Sequence, residues 1–60
     1  MTPATLQAWM DRLHFNKVQA SFELGISRTT LDRYLSGQNE IPLSIALACA
    51  AIAHGLPPIK

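Results

Sequence analysis

Arg28, Thr29, Asp32 and Arg33 recur at a spacing that places them on one side of an α-helix. On a helical wheel they share an arc of roughly 140° with Ser36, while Leu31, Tyr34 and Leu35 cluster on the other side. The chemistry such a face offers is hydrogen bonding to flat polar edges rather than bond making. Arginine bonds guanine O6 and N7 as a two-pronged donor. Threonine offers a hydroxyl or touches the thymine methyl, and aspartate accepts from cytosine N4. These four residues are therefore candidates for reading base edges in double-stranded DNA. Asp32 has a second reading: four residues after Arg28, it fits an i,i+4 ion pair that orients or partly neutralises that arginine.

A base reader also needs contacts that fix its register on the sugar-phosphate backbone, and helix N-termini supply them through free N–H groups and the helix dipole. Lys17, Ser27, Ser36 and Gln38 flank the polar arc and are the candidate phosphate contacts. Other chemistry finds little support. His14 and His54 lack Cys or carboxylate partners at metal-ligand spacing, and nothing builds a nucleophile elbow or an oxyanion hole. No enzymatic activity, metal, cofactor or small-molecule ligand is expected.

The elements that must position these residues are all helical. Thr2 before Pro3 provides an N-cap and a proline at the first helical position. Leu6, Trp9, Met10 and Leu13 then form one apolar stripe. Asn16 caps a second helix whose expected inward positions are Val18, Ala20, Ser21 and Leu24, and which Gly25 ends. Ile26 is then free to insert into the core, and Ser27 opens a third helix that stops at Ser36-Gly37. Pro42 starts a fourth helix that Gly55 and Pro57-Pro58 close. With no alternating strand pattern and no repeat, the expectation is an all-α, compact four-helix domain over residues 1–60, with helices at about 3–13, 17–24, 28–35 and 42–53. Two short helices joined through Leu24-Gly25-Ile26-Ser27 form the helix-turn-helix unit that places its second helix in the major groove.

The run from Asn16 to Leu35 resembles the helix-turn-helix of Cro-type, lambda-repressor-like regulators, and also that of Fis-like bacterial regulators. The flanks resemble the first group. Thr2-Pro3, Leu6, Ala8-Trp9 and Arg12-Leu13 look like the first helix of small Cro-type proteins, and Ser36-Gly37 with Ile41-Pro42 looks like their loop after the recognition helix. The resemblance implies that Arg28, Thr29 and Arg33 read bases and that Lys17, Ser27 and Gln38 touch phosphate. The chain departs from that pattern at Ser21, where alanine is usual, at Glu23, where an apolar residue is usual, and at Phe22, where a polar one is common.

The fourth helix has two apolar faces, Leu43, Leu47, Ala50 and Ala51 on one side and Ile45, Ala48, Cys49 and Ile52 on the other. A chain of 60 residues can cover only one of them. A homodimer follows as an expectation, with Ile45, Cys49 and Ile52 at the two-fold interface and two half-sites of a palindromic operator as its target.

Composition bounds the rest. A domain this small buries only roughly 60% of the surface its unfolded chain exposes, which leaves no room for a large enzyme cleft. The chain is 48% hydrophobic and 15% charged, with a formal net charge of +1, so no basic excess points to nucleic acid. Residues 11–40 are neutral, Arg12, Lys17, Arg28 and Arg33 being matched by Asp11, Glu23, Asp32 and Glu40. A single cysteine and the absence of a secretory signal or membrane span fit a cytoplasmic protein, and the resemblance implies a bacterial or phage origin. The expected function is a DNA-binding transcriptional repressor. Two alternatives stand beside it: an antitoxin-like protein-interaction module, which the neutral reading region favours, and a domain of a longer regulator, which the Pro57-Pro58 end would suit.

Overall fold

The computed structural model describes residues 1–59, which contain four α-helices: α1 (Pro3–Leu13), α2 (Lys17–Leu24), α3 (Arg28–Leu35) and α4 (Leu43–Ala53). Both α3 and α4 pack on α1 and α2. Leu6, Trp9 and Met10 of α1 meet Ala20 of α2, Leu31 of α3, Ile41 of the following loop, and Ile45 and Cys49 of α4 in one buried cluster.

Each of the first three helices starts on a side-chain cap. The Thr2 hydroxyl accepts the Thr5 N–H at 3.1 Å, and the Ser27 hydroxyl accepts that of Thr30 at the same distance. Asn16 and Gln19 exchange bonds, at 2.8 Å to the Asn16 side chain and 3.0 Å back to the Gln19 side chain. This reciprocal box satisfies two N–H groups that the first turn of α2 would otherwise leave orphaned.

One position departs from the expected inward face of α2. Val18 is exposed, because it lies roughly 115° around α2 from the centre of the buried face set by Ala20, Ser21 and Leu24. Ser21 is buried, and its hydroxyl donates to the Val18 carbonyl at 2.9 Å, so a polar group where alanine is usual costs little. Pro42 is the N-cap of α4 rather than its first residue: its ψ of 158° is extended, and its carbonyl accepts from Ile45 and Ala46.

The larger correction concerns α4. Ile45 and Cys49 are buried within the monomer core and Ile52 packs against it, so these three residues are not a free interface. The exposed face carries Leu43 and Leu47, at 73% and 62% exposure. The phase is set from outside the helix: Ile41 is anchored in the core, and Ile45, Cys49 and Ile52 continue its stripe at helical spacing. The Trp9 indole N–H donates to the Cys49 carbonyl at 2.9 Å and pins that side of α4 to α1. Burial raises the Cys49 thiol pKa above its ordinary value by disfavouring the thiolate, which makes Cys49 a packing residue rather than a reactive one.

Leu6 is fully buried at the centre of the cluster. Leu6→Ala is expected to cost about 2–5 kcal/mol, a large share of a stability scaling as about 0.05–0.15 kcal/mol per residue. Urea unfolding followed by Trp9 fluorescence reads this directly, and an unchanged midpoint would show that the core is not organised around α1.

Candidate nucleic-acid interface

Gly25 sits between α2 and α3 with φ of 69°, a left-handed conformation open to glycine without a Cβ penalty. Its N–H bonds the Phe22 carbonyl at 3.2 Å, and the Ile26 N–H bonds the Ser21 carbonyl at 3.0 Å. This double closure satisfies two of the last four carbonyls of α2, those of Ser21 and Phe22, while Ile26 packs against the core. Ser27 then caps α3 with no intervening loop. The angle between the two helices is thus set by three residues: the Gly25 and Ile26 N–H groups close α2, the Ile26 side chain packs against the core, and the Ser27 hydroxyl caps α3.

Because Leu31 is fully buried and Tyr34 and Leu35 are half-buried, α3 turns Arg28, Thr29, Asp32 and Arg33 outward together. All four are exposed. Asp32, however, does not pair with Arg28 as the local spacing allows. The one ion pair among the described residues joins its Oδ1 to Lys17 Nζ of α2 at 2.9 Å, with the two side chains 48% and 56% exposed. Arg28 and Arg33 stand outside that pair, with neither guanidinium group paired to a carboxylate among the described residues. Lys17 and Asp32 are thereby brought together on the shared outer face of the two helices, a proximity that no helical periodicity reveals.

The remaining candidates surround this face with differing freedom. Ser27 accepts the Thr30 N–H and lies 2.9 Å from the Thr30 hydroxyl, so its side chain serves first as a cap. Ser36 donates its single hydroxyl proton to the Arg33 carbonyl at 3.1 Å, which removes it as a free donor toward phosphate. Gln38 is exposed in the loop beyond α3, where the Asn39 N–H reaches back to the Arg33 carbonyl at 3.2 Å.

The departure noted at Phe22 has a counterpart on the surface. Phe22 is 82% exposed, on the position where the resemblance implies a polar residue. It borders a groove of about 380 Å³ between α2, α4 and the C-terminal segment, lined also by Ala51, Ile52, Leu56 and Pro57.

The tight α2-turn-α3 pair, with its second helix polar outward and apolar inward, defines the domain as a helix-turn-helix DNA-binding module. The chain belongs to the Fis family of bacterial regulatory proteins, whose model matches residues 4–35, from α1 through the end of α3. No curated protein and no solved structure is significantly similar to it. Membership makes it a DNA-binding regulator; the flanks that resemble Cro-type proteins lie partly beyond the matched stretch. No helix among the described residues is long and apolar enough to cross a membrane.

Removing the Ser27 hydroxyl tests the cap that joins the turn to α3. Ser27→Ala is expected to lose about 1 kcal/mol and Ser27→Gly only a few tenths, measured as shifts of the urea midpoint. An unchanged midpoint in Ser27→Ala would mean that the hydroxyl does not cap α3.

Proposed function

We propose that the domain is a sequence-specific transcriptional repressor that binds a palindromic operator as a homodimer in a bacterial or phage-infected cytoplasm. The observation that carries this reading is the outer face of α3, where two guanidinium groups uncommitted to a carboxylate flank an exposed threonine. Arg28 and Arg33 donate to guanine edges, Thr29 bonds or touches a thymine, and Asp32 accepts from a cytosine amino group. Ser27, Gln38 and the first N–H groups of α3 meet phosphates, as does Lys17 when its ammonium leaves Asp32. The repressor role rests on the resemblance of the flanks to Cro-type regulators.

The dimer is supported by what α4 leaves uncovered. Leu43 and Leu47 form an apolar stripe on the side away from the core, unusual for a domain with so little surface to spare. Two copies joined there would present two reading helices to half-sites about one helical turn, roughly 34 Å, apart. Exposure of Phe22 beside the apolar groove favours a second reading, a module that binds a protein partner through α2 and α4.

Fluorescence anisotropy on a duplex selected from a random library separates these readings. Arg28→Ala is expected to lose about 1–3 kcal/mol on the selected site and much less on a scrambled one. A wild-type domain with no salt-dependent affinity for any duplex would overturn the regulator and leave the protein-binding reading. For the dimer, light scattering at high micromolar concentration is expected to give twice the monomer mass. Leu47→Glu is expected to return it to the monomer, and a wild-type mass that stays monomeric would refute the interface.

A further inference from the structure

The Lys17–Asp32 pair places a carboxylate in the middle of a surface that must approach a polyanion, and uses it to hold the cation nearest the start of α2. On non-cognate DNA such a carboxylate is a penalty twice over: it repels nearby phosphates, and it withholds Lys17 from them. We propose that the pair is a specificity gate, in which Asp32 keeps Lys17 until a cytosine amino group at one operator position takes over the carboxylate and releases Lys17 to phosphate. The inference rests on the base-reading role of α3 set out above and assigns to its acidic residue a function that the arginines cannot perform.

Three observations support the exchange. Both side chains are about half exposed, so the pair is bound weakly enough to be traded for another partner. Asp32 shares its helix face with Arg28, Thr29 and Arg33, so a base edge that meets those residues lies within reach of the carboxylate as well. Residues 11–40 have no net charge. Freeing or holding one lysine is therefore a large fraction of the domain's electrostatic attraction to DNA, which in a strongly basic protein it would not be.

The test compares wild type, Asp32→Asn and Lys17→Gln on a site selected by the wild type and on a scrambled duplex of equal length, across a salt series. Circular dichroism checks that the two half-exposed substitutions leave the fold intact. Asp32→Asn frees Lys17 on every sequence. It is expected to steepen the salt dependence on scrambled DNA by about 0.9 per protomer in the log–log slope, with roughly tenfold tighter binding at 0.1 M salt. Repeating the selection with this variant is expected to replace one cytosine of each half-site, adenine being the base that an asparagine prefers. Lys17→Gln is expected to leave the scrambled-DNA slope unchanged and to reduce the slope on the selected site by about 0.9 per protomer. Equal slope losses on both duplexes would make Lys17 an ordinary phosphate contact and overturn the gate. So would an Asp32→Asn variant with wild-type slopes and base preference. If wild type selects no site at all, the base-reading role itself fails, an outcome distinct from a selected operator without the exchange.

Discussion

The three residues between α2 and α3 are the constraint on which the reading surface depends. A helix ends with carbonyls, and begins with N–H groups, that have no partner within the helix, and burying either end unsatisfied is costly. Gly25 and Ile26 close the carbonyls of Phe22 and Ser21, Ser27 closes the N–H of Thr30, and Ile26 contributes its side chain to the core. That is why Lys17, at one end of α2, lies 2.9 Å from Asp32, halfway along α3.

The same closure recurs at the ends of α1 and α4. His14 takes the left-handed role after α1 with φ of 58°, and Gly55 takes it after α4. In each case the following residue, Phe15 or Leu56, bonds the carbonyl five residues back. At the first of these ends, Phe15 sets its ring edge-on to Trp9, 5.5 Å between centroids, so the closure also extends a thin core. His14 pays for this with a backbone conformation that a side chain disfavours, whereas Gly25 and Gly55 do not.

Local signals in the sequence were enough to read most of the fold. The first three helices open on Thr2, Asn16 and Ser27, and the first and third present their stripes as periodicity requires. What failed was any choice between alternatives that periodicity treats as equal. The two faces of α4 are both apolar, and only its tertiary neighbours, Trp9 and the buried Ile41, distinguish them. The Ile41, Ile45, Cys49, Ile52 stripe was available as a signal, but it begins in a loop, where no helical period is ordinarily counted. Asp32 shows the same limit in the site: the nearest rule pairs it with Arg28 on its own helix, and the fold supplies Lys17 from another. Of the two resemblances carried by the run from Asn16 to Leu35, the match over residues 4–35 bears out the Fis-like one, while the Cro-type one rests on flanks that lie partly outside that stretch.

A DNA-binding domain with a formal net charge of +1 resolves an apparent conflict by placement. A strongly basic protein gains affinity for all DNA alike, because counterion release ignores sequence. Here four acidic residues offset the cations of residues 11–40, so little of the attraction is indiscriminate and more of it must come from directed hydrogen bonds. On the proposed function, such a surface gains little at a wrong site and depends on a fixed geometry at a right one. The closed three-residue turn supplies that geometry, and the proposed dimer through the exposed Leu43 and Leu47 would double the number of directed contacts without adding charge.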